Sequence, residues 1–227
     1  MIRVVVVDDE PLFRDGIAAL LDDADDIDVV GRADDGDVGL DVVLRERPDV
    51  VLTDMQMPGR DGLELTRDVV RLAPGAVVVV LTHFQDDRYV VPALRAGAAG
   101  YLLKDSTAEE LRQGVRAAAA GEAILSPVIT RKILDALVAS DASAAVEHAS
   151  EARTRVAVLS DREREVLGEV ARGASNAEIA RALYMAEPTV KAHLSHALAK
   201  LGLVNRTQAA ILAHEAGLDG GGEPVDR

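Results

Sequence analysis

The 227-residue chain has no cysteine and no tryptophan, and only two phenylalanines and three tyrosines. Without thiols it can form no disulfide, no thiolate metal site and no cysteine nucleophile. With aromatics at 2% and hydrophobic residues at 48%, its core has to be aliphatic. A membrane-spanning helix needs about 20 consecutive apolar residues, and no such run is present. The N-terminus, Met1 to Glu10, enters a valine run directly and lacks the form of a signal peptide. A soluble, cytoplasmic protein with no membrane partner is expected. Basic residues are also in deficit: the net charge of −14 excludes a protein that coats nucleic acid over its whole surface.

The deficit is uneven. Residues 1–150 carry 28 acidic and 15 basic residues, a net of −13, whereas residues 151–227 carry 11 and 10, a net of −1. Pro188 to Thr207 holds Lys191, Lys200 and Arg206 and no acid, so a polyanion should meet the chain there.

Strand and helix signals alternate five times over the first 120 residues. Valine-rich runs near 2–7, 27–31, 49–53, 76–81 and 99–103 read as buried parallel strands, separated by helical periodicity near 11–22, 36–46, 61–72, 87–97 and 107–120. This predicts a five-stranded, doubly wound parallel sheet, an α/β domain with helices on both faces. Pro92 falls inside the fourth helix and should kink it or delay its start. Ser106 with Glu109 reads as the capping box of the fifth helix. A helix from Ser126-Pro127 to about Val138 follows, and the small, polar, aperiodic stretch 139–156 reads as a linker. Beyond it the periodicity predicts four short helices in a second, all-α unit. Ser160…Glu163 and Ser175…Glu178 are capping boxes, and Pro188 sits in a first helical turn. The expected domains are 1–122, a connecting helix and linker over 123–156, a helical domain over 157–218 and a disordered tail over 219–227.

In a doubly wound sheet the ligand crevice lies outside the carboxyl ends of the strands. Asp8 and Asp9, Asp54, Thr82 and Lys104 all lie at such ends. Carboxylates about 4 Å apart repel by roughly 4 kcal/mol at an effective dielectric of 20. Three of them together therefore call for a cation, and an oxygen-only set suits Mg²⁺. A carboxylate so placed can act as a nucleophile toward a phosphoryl group. Lys104 offers a point charge to the phosphoryl oxygens and Thr82 a hydroxyl. Singly, each would read as a solvated turn or strand-end residue; four strand ends with complementary chemistry do not.

Asp8-Asp9, Asp54, Met57-Pro58-Gly59…Asp61-Gly62, Thr82 and Gly100 to Asp105 together resemble the receiver domain of a two-component response regulator, a flavodoxin-like fold. The resemblance implies that Asp54 accepts a phosphoryl group from a phosphohistidine of a sensor histidine kinase. It implies that Asp9, Asp54 and the Gln56 carbonyl hold Mg²⁺, with Asp8 acting through water, and that Thr82 and Tyr101 form a switch pair. Gln56 and Phe84, two residues beyond Asp54 and Thr82, lie where hydrolysis of the phosphoryl group is tuned in that family; Phe84 cannot orient a water, which suggests a long-lived phosphorylated state. His83 beside the site reads as packing or solvated.

Asp161-Arg162-Glu163, Gly173 to Asn176, Glu178-Ile179-Ala180, Thr189 to His193 and Lys200-Leu201-Gly202 resemble the LuxR-type helix-turn-helix. The whole chain thus resembles a NarL/FixJ-type response regulator. In the helix starting near Glu187, an apolar stripe of Val190, Leu194, Ala197, Leu198 and Leu201 lies opposite Ala192, Ser195, His196 and Ala199. The resemblance makes this the recognition helix and makes the last one, about 204–216, a dimer contact. DNA contacts are expected from Thr189, Lys191, Ala192, Ser195, His196, Lys200 and Arg206, with sparse base readout from such small side chains. Ala186 stands where a capping serine is usual. Expected partners are a sensor kinase, double-stranded promoter DNA, a second phosphorylated copy and RNA polymerase. An enzyme is not expected: a free-standing phosphohydrolase of the haloacid-dehalogenase type would carry Asp-x-Asp after the first strand, where this chain has Asp8-Asp9-Glu10, and it has no cap domain. An adaptor that no longer binds DNA is the other rival, suggested by the net −1 charge.

Overall fold

The structure, a computed structural model, describes residues 1–82, 89–122, 124–125 and 142–219. The chain divides into two compact units, Met1–Asp135 and Ala136–Arg227. In the first, β1 (Ile2–Val7), β2 (Ile27–Ala33), β3 (Val50–Asp54), β4 (Val77–Thr82) and β5 (Gly100–Leu103) alternate with α1 (Pro11–Asp22), α2 (Gly36–Glu46), α3 (Gly62–Leu72), α4 (Val90–Ala96) and α5 (Ala108–Ala119). All strand pairs are parallel, in the order β2-β1-β3-β4-β5. Beyond the five predicted strands, a short β6 (Ile124–Leu125) pairs in parallel with β5. Two residues leave too little pattern for periodicity to detect.

The valine runs form strands because both faces are covered, and β-branched side chains suit such a surface. Their two-residue period divides the core. Val4 and Val6 of β1 point into one layer with Ile17 and Leu21 of α1 and Leu111 and Val115 of α5. Val5 and Val7 point into the other, with Val42 and Val43 of α2 and Leu65 and Val69 of α3. Each fully buried side chain of this kind contributes roughly 1.5–3 kcal/mol, so the strand ends rest on a stiff base. The chain leaves β1 toward β2 on one side and later fills β3 on the other; the crevice at that reversal opens beside the ends of β1 and β3.

Two expectations shift at helix starts. α4 begins at Val90, which puts Pro92 in its first turn, where the missing N–H costs nothing. α5 is capped one residue later than expected: Thr107, not Ser106, accepts from the Glu110 amide, and Glu110 answers on Thr107. Ser106 instead closes the preceding turn, its amide donating to Leu103 O at 3.0 Å. The predicted helix over 127–138, residues His83 and Phe84, and positions 220–227 lie outside the described residues.

The second unit holds α6 (Ala142–Val156), α7 (Asp161–Ala171), α8 (Asn176–Ala182), α9 (Glu187–Leu201) and α10 (Arg206–Glu215). α6 corrects the expected linker at 139–156. Ala152 and Val156 are buried in the unit's core, and Arg155 donates to Leu201 O at 3.0 Å. Alanine forms helix readily, and a buried face marked by Ala152 and Val156 is too thin to show as a periodic stripe. The boxes at Ser160/Glu163 and Ser175/Glu178 form as expected. The start of α9 has no side-chain cap at Ala186 and has Pro188 in its first turn. Asp219, expected in a disordered tail, accepts through its carbonyl from Arg172 Nε at 3.1 Å.

Candidate functional site

Asp8 follows β1, Asp54 ends β3, Thr82 ends β4 and Lys104 follows β5, so the sheet itself converges these groups on one rim. Gly62, the first residue of α3, lets that helix close over the rim: a Cβ there would lie 2.1 Å from the Asp54 carbonyl oxygen. Lys104 is the hub. Its side chain is 1% exposed, and Nζ lies 3.0 Å from Asp54 Oδ2, 2.9 Å from Asp8 Oδ2 and 3.1 Å from Glu10 Oε1. The Phe13 ring on α1 lies 4.6 Å from the ammonium, a cation–π contact that walls its fourth side.

Asp54 is nearly buried; its Oδ1 accepts from the Met55 amide at 2.7 Å and its Oδ2 from Lys104. Asp8 is fully buried, and its Oδ1 accepts from the Glu10 amide at 2.9 Å. Asp8 Oδ2 is ion-paired with Lys104 but poorly aligned with its N–H bonds, which leaves it a buried oxygen without a hydrogen bond. One oxygen each from Asp8, Glu10 and Asp54 lie within 4.8 Å of one another. Three carboxylates around one ammonium leave the cluster short of positive charge. Burial accordingly holds the Asp54 carboxyl above its ordinary range, with the Asp8 charge adding to it and Lys104 only partly offsetting it. Lys104 is pulled down by burial, but its close ion pair with Asp8, the Asp54 charge and hydrogen bond and the Glu10 contact outweigh that and hold the ammonium firmly charged.

The site thus brings together Asp8, Asp54 and Lys104 as expected. Asp9, expected as a metal ligand, lies outside the carboxylate group, and Glu10 occupies it instead. In the Asp8-Asp9-Glu10 run the chain turns from strand to helix, and Glu10 comes back to Lys104, its Oε1 3.1 Å from Nζ. Glu10 and Phe13 were not anticipated; the only signal was their place in the turn and first turn after β1. Gln56 is exposed on the loop beyond Asp54, and Thr82 is half-buried. Tyr101 is buried on β5 and donates its hydroxyl to Tyr89 O at 3.0 Å.

In the second unit α8 and α9 are joined by the turn Leu183–Ala186. Val190, Leu194, Ala197 and Leu201 of α9 are buried, while Thr189, Lys191, Ala192, Ser195 and His196 are exposed, as the stripe predicted. Lys191 has only a loose contact with Glu187, 3.8 Å away. Arg206 is a correction. It is 6% exposed, donates to Asn176 Oδ1 at 2.8 Å and to the Ala174 carbonyl, and so ties the start of α10 to the start of α8 instead of reaching for a phosphate. Lys200 is half committed, its Nζ 2.7 Å from Glu163 Oε2. That hydrogen bond, with the Ser160 amide, holds the Glu163 carboxyl down at about 2.

Residues 4–116 match the response regulator receiver domain family, and residues 157–213 match the luxR family of bacterial regulatory proteins. The transcriptional regulatory protein LiaR of Bacillus subtilis is 41% identical over 214 residues, covering 94% of this chain and 97% of that protein. The nitrate/nitrite response regulator protein NarL of Escherichia coli is 39% identical over 215 residues, covering 93% and 94%. Among solved structures, the response regulator ChrA of a heme-sensing two-component system aligns with a TM-score of 0.53 at 37% identity, covering 96% of this chain and 98% of that one.

Proposed function

The chain belongs to the NarL/FixJ-type response regulators, transcriptional regulators that join a receiver domain to a LuxR-type DNA-binding domain, and from that premise we propose that Asp54 is its phosphoacceptor. A carboxylate oxygen of Asp54 attacks the phosphorus of a kinase phosphohistidine; the P–N bond breaks and its electron pair returns to the imidazole. Lys104 then keeps its charge against the transferred oxygens. The observation that carries this reading is the Lys104 ammonium, buried and bound to Asp54 Oδ2 at 3.0 Å.

The donor set fits Mg²⁺. It is oxygen-only, it is one dication short of neutrality, and Asp8 Oδ2 is a buried oxygen still without a hydrogen bond. Asp8, Asp54 and Glu10 or Asp9, with the Gln56 carbonyl, would hold the ion, which supplies charge neutralisation at the carboxylate and phosphoryl oxygens. The chain's own residues do the rest: the Met55 amide and Lys104 orient Asp54, and Phe13 keeps water from one side of the ammonium.

Phosphorylation then draws the Thr82 hydroxyl toward the phosphoryl oxygens, and Tyr101 and Tyr89 repack with it. The altered receiver favours a homodimer that presents α9 to promoter DNA, with Lys191 on a phosphate and Thr189, Ala192, Ser195 and His196 along the groove. Moving such a switch from mostly off to mostly on requires about 5.5 kcal/mol of differential stabilisation. The test is Asp54→Asn. The variant should bind duplex DNA no better with a phosphodonor than without one; a full response would make the assignment wrong.

A further inference from the structure

We propose that Tyr184 contacts DNA, its phenolic hydroxyl donating to a backbone phosphate beside the groove that α9 enters; the inference rests on the DNA-binding reading above and adds a residue to it. Tyr184 stands in the turn between α8 and α9. Its neighbours face inward: Leu183 and Met185 both pack against the core of the second unit. The Met185 amide donates back to Ala180 O at 2.9 Å, the six-to-one bond that closes a helix C-terminus of the Schellman kind. Such a closure puts the residue before Met185 in the left-handed region, and Tyr184 has φ +54°.

Glycine is the natural occupant of that position, because any Cβ crowds the following carbonyl. Among the described residues, six glycines have left-handed backbone, and only Arg47 and Tyr184 do so with a side chain. The strain at Tyr184 is not offset by burial, since the residue is 97% exposed. Tyr101, by contrast, is buried on β5. Nor does Tyr184 make a hydrogen bond or ring contact with any described residue. A chain with three tyrosines and no tryptophan thus places one large aromatic where the fold gains nothing from it. The position has another use. In a helix-turn-helix the first helix crosses the phosphate backbone and the second lies in the major groove. The turn joining them therefore faces the strand at the groove's edge. Arg181, exposed on the last turn of α8, and Lys191, exposed on α9, lie on either side of it in sequence and offer charged donors to the same strand. A tyrosine hydroxyl is a common neutral donor to phosphate, and such contacts set position without reading sequence.

The test uses the full chain and a short fluorescein-labelled duplex of arbitrary sequence, read by anisotropy at low salt. Tyr184→Phe removes the hydroxyl and should weaken binding about 3- to 10-fold, the loss of one hydrogen bond. Tyr184→Gly should weaken it at least as much while raising the melting temperature of the second unit by a few degrees, since glycine takes the turn without strain. Neither variant should change the slope of affinity against salt, whereas Lys191→Ala, which removes one phosphate-facing charge, should lower it by about 1. Wild-type affinity in Tyr184→Phe overturns the inference and leaves the DNA-binding reading standing. A melting temperature that falls in Tyr184→Gly overturns the premise that the fold gains nothing from the ring. Absence of duplex binding by the wild-type chain overturns both readings.

Discussion

Replacing Asp54 by asparagine should stabilise the receiver unit when no divalent cation is present. The Lys104 ammonium, 3.0 Å from Asp54 Oδ2, attracts that carboxylate by about 5.5 kcal/mol at an effective dielectric of 20. Asp8 and Glu10, with oxygens within 4.8 Å, repel it by about 3.5 kcal/mol each on the same scale. Repulsion and burial together exceed the attraction, consistent with the raised Asp54 carboxyl. The net gain expected from the asparagine is about 1–2 kcal/mol, the excess of the two repulsions over the attraction on that scale. The sign with pH is fixed by the direction of the shift. A carboxyl raised in the folded state favours folding below its unfolded value near 3.8 and loses that contribution as pH rises through the folded value. The advantage of Asp54→Asn should therefore be full at pH 7.5 and shrink toward pH 4. Urea unfolding followed by circular dichroism, in chelator, measures it. A variant less stable than wild type at pH 7.5 would refute the reasoning, because it would make Lys104 a fully compensating partner.

Other outcomes follow from the same contacts. Arg206→Ala should destabilise the second unit by about 2–4 kcal/mol, through unpaired Asn176 and Ala174 acceptors, in thermal or urea unfolding. Lys191→Glu should leave that stability within about 0.5 kcal/mol and abolish low-salt duplex binding, so the two variants separate a structural cation from a DNA-facing one. Glu163, held at about 2 by Lys200 and Ser160, stabilises the folded state above pH 4.5 and loses that contribution as pH falls toward 2; Glu163→Gln should flatten this acid limb. The phosphorylated chain should release phosphate over minutes or longer, since Phe84 cannot orient a hydrolytic water; decay within seconds, timed by phosphate release, contradicts this.

The sheet and its rim were legible because their signals are local and strong. Valine runs set the strands, and their ends alone place Asp8, Asp54, Thr82 and Lys104 together. What escaped depended on partners distant in sequence or on one-residue choices. Arg206 and Lys200 counted as surface cations because Asn176 and Glu163 lie 30 and 37 residues away, where charge counting does not see them. The cap of α5 slipped by one because Ser106-Thr107-Ala108-Glu109-Glu110 contains two overlapping boxes, and only the turn to Leu103 decides between them. Glu10 was overlooked because a pair of aspartates already supplied the expected charge, and the return of the chain into α1 had to be built before its reach to Lys104 was visible. α6 was missed because alanine packs on a core without marking a stripe.

In the function proposed above, the pocket modifies itself once and thereby changes DNA binding. The most direct measurement treats the full chain with a small phosphodonor and Mg²⁺, locates the modification by tandem mass spectrometry, and measures duplex affinity on the same sample. One phosphoryl group on Asp54, at no more than one per chain, with tighter DNA binding that Asp54→Asn lacks, is the result predicted. A phosphoryl group on another residue, continuous turnover of the donor, or an affinity indifferent to occupancy of Asp54 would contradict it.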